Sequence, residues 1–352
     1  MIINGVGNVS AGRQARLLSA DLAGTAEAAA ILRAGGLVAF PTETVYGLGA
    51  HALDVRAVHA IFEAKGRPAD DPLIVHLLSP ADLTTLARPT PEAQRLAAAF
   101  WPGPLTLVLP KLPHVPAEVT AGLDTVAVRV PAHPVARGLL EASELPLAAP
   151  SANLFGRPSP TRAAHVLHDL GGRIDAILDG GPTTVGVEST IVDLSGEQPR
   201  LLRPGGLAVE AIEALLGVKL LDPPPRASGP QPSPGLLASH YAPRTPLTLV
   251  AGNHARDRLW AEITATIANG LRVGVLLLDD DRDLLPPAAM SELVGAYDEP
   301  ERSAARLFEA LRALDARNLD VLFARDLADP TSGLGRALAD RLRRAAARRI
   351  DS

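Results

Sequence analysis

Eight of the chain's 32 prolines (positions 223, 224, 225, 230, 232, 234, 243 and 246) fall within residues 222–246, DPPPRASGPQPSPGLLASHYAPRTP, and this stretch divides everything around it. Proline locks φ and has no N–H to donate, so such a run is excluded from central strands and from helix interiors. It reads as extended, partly polyproline-like chain between two segments that each alternate short apolar runs with amphipathic ones. At 352 residues the chain exceeds one ordinary domain. The expected organisation is a first domain over 1–217, a Pro-rich linker over 218–246 and a smaller domain over 247–352.

In the first segment Leu37–Phe40, Leu105–Leu109, Val126–Val130 and Leu145–Ala149 read as short buried strands. Asp54 is a good N-cap for a helix whose buried face is Val58, Ile61 and Phe62, and Gly66 is a natural stop. Pro91–Phe100 and Thr161–Leu170 also read as helices. In the second segment the strands are Leu247–Val250, Val273–Leu278 and Val321–Phe323, and the helices include Glu301–Ala313 and Leu334–Ala347. Short buried runs alternating with helices imply an α/β class throughout, the second segment being a small doubly wound unit.

Several function classes are excluded at once. The chain has no cysteine, so disulfides, thiolate metal sites and Cys nucleophiles are out. With 3% aromatic residues and a net charge of −5, it offers neither a base-stacking platform nor an electrostatic footprint for nucleic acid. There is no GxxxxGK[ST], HExxH or GxSxG, and the pairs Gly5/Gly7 and Gly47/Gly49 lack the third glycine of a dinucleotide fingerprint. His165 and His168 share a helix turn without further ligands beside them, which reads as a surface pair. The start, MIINGVGNVSAGRQ, lacks the pattern of a leader, and no apolar run is long enough to span a bilayer. The expectation is a cytoplasmic protein with no membrane partner.

Chemistry concentrates at strand ends, where ligands bind in α/β folds. Phe40-Pro-Thr-Glu-Thr-Val-Tyr-Gly-Leu-Gly49 runs from a buried strand into hydroxyls and two glycines, among them Thr42. Lys65 and Arg67 flank Gly66, and in extended backbone both cations point to one side, as a polyphosphate requires. A solvated basic pair at a helix C-terminus has the same spacing. Thr125, Ala127 and Arg129 share one face of an apolar strand, so Arg129 must meet either an anionic ligand or an internal carboxylate. Ala148-Ala149-Pro150-Ser151-Ala152-Asn153 leaves a strand through small residues that permit close approach of a ligand. Ser159-Pro160-Thr161 then opens a helix, where free N–H groups favour anions. Gly186 to Asp193 and Leu202 to Gly206 repeat the theme with Ser189 and Arg203.

Taken together, PTETVYGLG, KGRP followed by PLIVH, the VRVP strand, APSAN and STIVD resemble the YrdC-like family, the threonylcarbamoyl-AMP synthases, over roughly residues 20–210. SPGLLASHYAP is similar to the linker of the family's long form, which carries a smaller Rossmann-like C-terminal domain. The resemblance implies a YrdC-like twisted mixed sheet for the first domain and a nucleotidyltransferase activity. L-threonine and bicarbonate would form a carbamate that attacks the α-phosphorus of ATP, giving threonylcarbamoyl-AMP and pyrophosphate. By resemblance Lys65 and Arg67 would hold the triphosphate with Mg²⁺ bound through phosphate oxygens, and Ser151, Asn153, Ser159, Arg203 and Tyr241 would line the nucleotide side. Thr42, His76, Thr125, Arg129, Ala149 and Ser189 would form the threonine pocket. Tyr241 is either part of a lid or a packing residue that anchors the linker.

A downstream threonylcarbamoyl transferase complex acting on tRNA would consume the product, and weak tRNA binding completes the expected partners. Two other readings compete. HypF-type carbamoyltransferases share the module, but they carry Cys-rich zinc segments that this chain lacks. A tRNA or double-stranded RNA binding module would rest on the cluster Arg341, Arg343, Arg344, Arg348 and Arg349.

Overall fold

The computed structural model describes residues 14–223, 233 and 240–351. Its first five strands are β1 (Arg16–Ser19), β2 (Val38–Pro41), β3 (Tyr46–His51), β4 (Ile74–His76) and β5 (Leu105–Pro110). Then come β6 (Thr125–Arg129), β7 (Leu147–Ala148), β8 (Ala176–Asp179), β9 (Thr190–Asp193) and β10 (Arg200–Arg203). All ten join one mixed sheet in the order β1-β8-β2-β3-β7-β4-β6-β5-β9-β10. β4 runs parallel to β6, whereas β2 with β3 and β5 with β6 are antiparallel.

Burial explains why the strands read as apolar runs without alternation. One face packs on the helices Val55–Lys65, Pro91–Phe100 and Ala163–Leu170 through Val58, Ile61, Leu96, Val166 and Leu170. Part of the other face packs on Leu22–Arg33 and Pro134–Ser143 through Ala28, Leu32, Ala136 and Leu139. Beyond that part, this face carries a small apolar cluster of Ile74, Val108, Ala127, Ile191 and Leu202. That cluster is the floor on which the candidate site is built.

A second sheet consists of β11 (Leu247–Ala251), β12 (Val273–Leu278), β13 (Met290–Gly295), β14 (Val321–Arg325) and β15 (Ala346–Asp351). Its order is β13-β12-β14-β11-β15 and every pair is parallel. The helix Ala255–Ala268 covers one face, and Pro300–Asp315 with Gly333–Ala345 cover the other. This is the doubly wound unit expected from the sequence. The core beneath the last two helices also takes in Val45, Val187 and Tyr241, so apolar packing continues from one sheet system into the other.

The helix over Val55–Lys65 begins and ends as its residues dictate. The Asp54 carboxylate accepts from the Arg56 N–H, and Gly66 closes it at φ +62°. Other elements differ from expectation. Thr161–Leu170 shortens to Ala163–Leu170, and Leu145–Ala149 to Leu147–Ala148 between Pro146 and Pro150. Gly47 and Gly49 belong to strand β3, not to a turn. A Cβ on Gly49 would come within 2.7 Å of the Phe40 ring, so the glycine lets that ring lie against the strand. The last helix stops at Ala345, and the basic tail becomes edge strand β15 beside β11. Arg348 and Arg349 are therefore charges on a sheet edge, a common guard against edge pairing. Arg341 is fully buried, Arg344 pairs with Asp340, and Arg348 stands 3.6 Å from Glu262. The cluster thus does not form the continuous basic surface that the RNA-binding reading required.

Of the proline-rich linker, residues 218–223, Ser233 and residues 240–246 are described, while 224–232 and 234–239, including most of SPGLLASHYAP, lie outside the described residues. Among the described residues no helix is long and apolar enough to cross a membrane.

Candidate active site

A narrow cleft opens where the ends of β4, β6 and β10 meet the chain following β2 and β7 and the end of the linker. Its lining includes Thr42, Thr44, Arg67, His76, Arg129, Ala149, Ser151, Glu188, Ser189, Arg203, His240 and Tyr241. Ile74, from the floor cluster, lies at its base.

Arg129 enters from the end of β6 on the same face as Ala127. Its Nη2 donates to Glu43 Oε1 at 2.5 Å, Nη1 to Thr44 Oγ1 at 2.9 Å and Nε to the Gly103 carbonyl at 3.2 Å. Of the two partners open to it, Arg129 therefore has the internal carboxylate, while still bordering the cleft. Glu43 Oε2 accepts from the Ala132 N–H at 3.1 Å. Burial alone would raise the Glu43 pKa, but the charge and hydrogen bonds of Arg129 outweigh it and hold the carboxyl below its usual range. The sequence reading passed over Glu43. The signal was there, since a carboxylate between two threonines just past a fully buried strand must be paired. Thr42 ties the same turn, donating to the Val45 carbonyl at 2.7 Å and accepting from the Val45 N–H at 3.2 Å.

Lys65 and Arg67 diverge in the structure. Lys65 is buried and its Nζ donates to the Ser151 carbonyl and, at 2.6 Å, to the Asn153 carbonyl, so it braces the loop after β7 and does not border the cleft. Burial and then the nearby Arg67 charge drive its pKa well down. Arg67 does border the cleft. It donates through Nε to the Asp71 carbonyl at 3.2 Å and through Nη2 to the Pro72 carbonyl at 2.8 Å, and it pairs with Asp71 at 2.9 Å. Its Nη1 has no protein partner among the described residues.

Ser151 and Ala149 line the cleft, whereas Asn153 turns away, donating to the Leu154 and Arg157 carbonyls at 2.8 and 2.9 Å. Ser159 lies behind the wall with its hydroxyl on Glu188 Oε1. Ser189 shares a hydrogen bond with Thr106 at 2.8 Å, and Arg203 donates to the Ser189 carbonyl at 3.0 Å. The β9–β10 register shifts between Leu201 and Arg203, and Leu202 joins the floor while Arg203 reaches the lining. Thr125 opens β6, ~13 Å along the strand from Arg129, and is not part of the lining.

His76 and His240 are buried, which, with neighbouring arginine charge opposing protonation, lowers each pKa to about 3; both are neutral at pH 7. Tyr241, held at φ +63°, packs on Phe308 with ring centroids 5.5 Å apart and lies 5.1 Å from the Arg341 guanidinium. Tyr241 is therefore a packing residue, as the second reading had it, and it also lines the cleft. Among the described residues no group of three or more His, Cys, Asp or Glu stands ready to hold a metal ion. The site can bind and orient anions, with donors fixed in advance by their hydrogen bonds to the protein.

Comparisons with known proteins agree across both sheet systems. A family model described as telomere recombination, covering the Sua5, YciO and YrdC proteins, matches residues 30–205. A second, described as threonylcarbamoyl-AMP synthase, C-terminal domain, matches residues 207–347. A threonylcarbamoyl-AMP synthase of Pyrococcus abyssi is 49% identical over 331 residues, covering 92% of this chain and 94% of that one. Another from Bacillus subtilis is 47% identical over 328 residues, covering 92% and 93%. The crystal structure of P. abyssi Sua5 complexed with L-threonine superposes with a TM-score of 0.88 at 45% identity, over 96% of this chain and 99% of that one.

Proposed function

The chain belongs to the Sua5/YrdC family of threonylcarbamoyl-AMP synthases, and on that premise we propose how its cleft makes threonylcarbamoyl-AMP from L-threonine, bicarbonate and ATP. The threonine amine bonds to the carbon of bicarbonate with loss of water, or to CO₂ with loss of a proton, to give a carbamate. A carbamate oxygen then attacks the α-phosphorus, the bond to the bridging oxygen breaks, and pyrophosphate leaves. Such a reaction asks the protein for alignment, charge stabilisation and exclusion of water, not for covalent chemistry.

The observation that carries this reading is the convergence of three arginines, Arg67, Arg129 and Arg203, on one cleft that is also lined by the hydroxyls of Thr42, Thr44, Ser151 and Ser189. Arg129 with Thr42, Thr44, His76 and Ser189 forms the threonine side, its guanidinium facing the carboxylate. Arg67, Ser151 and Arg203 form the nucleotide side, and Arg67 Nη1 is the donor left for a phosphate. Lys65 shapes that side by holding the Ser151 and Asn153 carbonyls. Mg²⁺ bound to ATP would be held by phosphate oxygens and water and would offset the triphosphate charge, since the described residues offer no acidic cage for it. His240 and Tyr241 close the cleft and protect the mixed anhydride from water. That product passes, in the cytoplasm, to a transferase complex that modifies tRNA, with at most weak contact between this chain and the tRNA itself.

The test is pyrophosphate release from ATP with Mg²⁺ and bicarbonate, scanned across amino acids, in the full chain and in Arg67→Ala. Release should depend on threonine and fall by about 10²-fold or more in the variant. Release that ignores threonine, or that Arg67→Ala leaves unchanged, would sink the reading.

A further inference from the structure

Glu188 is the single carboxylate among the described residues lining the cleft. A bare negative charge beside a triphosphate would oppose binding strongly in so buried a place. We propose that Arg341, from the last helix of the second sheet system, is a positioning residue for ATP: it neutralises Glu188 from behind and so fixes the nucleotide wall. The inference rests on the synthase reading above and deepens it.

Arg341 is fully buried, and its Nε donates to Glu188 Oε2 at 2.7 Å. Its Nη1 takes Asp340 at 2.6 Å, but Asp340 is already shared with Arg344 at 2.9 Å. Glu188 in turn holds the Ser159 hydroxyl on its other oxygen. Although burial alone would raise its pKa, the charges of Arg341 and Arg203 keep the Glu188 carboxyl below the usual range. The Arg341 guanidinium also lies against the Tyr241 ring. One side chain of the second unit thus touches two residues of the cleft wall and, through Glu188, reaches Ser159 behind it.

The surrounding contacts make this arrangement rigid. Gly186, at φ +78°, lets the segment leading to Glu188 lie against the helix Pro300–Asp315, where a Cβ would come within 2.2 Å of the Ala304 carbonyl oxygen. On the other side Arg312 of that helix donates to the Pro158 carbonyl and pairs with Asp169 at 2.7 Å, holding the chain just before Ser159. Two arginines of the second unit therefore secure the two segments that carry Ser159 and Glu188. A residue that merely filled space would not need to end on a cleft carboxylate.

The full chain is titrated with ATP alone and with threonine alone, and thermal melting is recorded for every variant. Arg341→Met keeps the stem and removes the charge, and it should weaken ATP binding about tenfold or more while changing threonine binding less than about threefold. Arg341→Met combined with Glu188→Gln, which leaves no unpaired charge, should return ATP binding to within about threefold of wild type. If Arg341→Met fails to fold, Arg341→Gln carries the test: it keeps a polar head without the charge and should weaken ATP binding about tenfold or more. Unchanged ATP binding in either folded single variant, or a defect that persists in the folded double variant, would overturn the proposal. The synthase reading is judged separately, by threonine-dependent pyrophosphate release from the wild-type chain.

Discussion

Glu43 and Arg129 lie 86 residues apart, yet each is the reason the other can be buried. That Arg129 needed a partner is legible from one cation in an apolar strand. Which partner it has is not, because only the meeting of the turn after β2 with the end of β6 puts Glu43 there. Glu43→Gln leaves Arg129 buried without its counter-charge and should cost about 3–5 kcal/mol, read as a lower urea midpoint. A midpoint equal to wild type would mean that water supplies what the carboxylate does. Gly186 makes a second case. Any side chain there meets helix backbone at a φ unfavourable for L-residues, so Gly186→Ala should cost at least about 1 kcal/mol and lower Tm; an unchanged Tm would show that the two segments can separate freely.

Among the elements, those with a complete local signature were readable and those defined by a neighbour were not. The helix Val55–Lys65 has its cap, its apolar face and its glycine stop in consecutive residues. β3 has none of these, since YGLGAH becomes a strand through pairing with β2 and β7 and through the Phe40 ring that needs glycine opposite it. The helix expected over Leu334–Ala347 ends two residues early for a similar reason, because an open edge at β11 draws the chain from Ala346 onward into the second sheet. The end of the linker supplies the prediction that belongs to this scale. Tyr241 Oη is buried without a hydrogen-bond partner among the described residues, so Tyr241→Phe should change stability by less than about 0.5 kcal/mol. Tyr241→Ala empties a packed site and should cost about 3–5 kcal/mol. Urea denaturation separates the two, and a large loss in the Phe variant would show that the hydroxyl is held by the fold after all. Should Tyr241→Phe keep its stability and lose turnover, the hydroxyl acts on the ligand.

At the scale of the whole molecule, three histidines, His76 and His240 buried and His165 half-buried, tie stability to acidity. His76 and His240 are pushed down to about 3 and His165 to about 4, chiefly by burial and then by nearby arginine charge or, for His240, against the pull of Glu188. Unfolded, each titrates near 6.5, so below that pH the unfolded chain binds more protons than the folded one. Their contribution is therefore present above about pH 6.5 and is lost as pH falls toward 4 and 3. Tm should decline between pH 7 and pH 4.5 in the wild-type chain, and less steeply in His165→Gln. A flat profile over that range would show that these rings are accessible to protons in the folded state.

The sequence by itself determined the α/β class, the proline-rich divide, the strands buried on both faces and the motifs that mark the family. Each of these is carried by neighbouring residues, whose propensities and spacing act before any distant contact forms. Tertiary structure alone decided that Glu43 answers Arg129, that Lys65 braces a loop while Arg67 borders the cleft, and that Arg341 reaches Glu188 from the second unit. Those pairings join residues far apart in the chain, and a buried charge records only that it needs a partner, not where the fold will bring one.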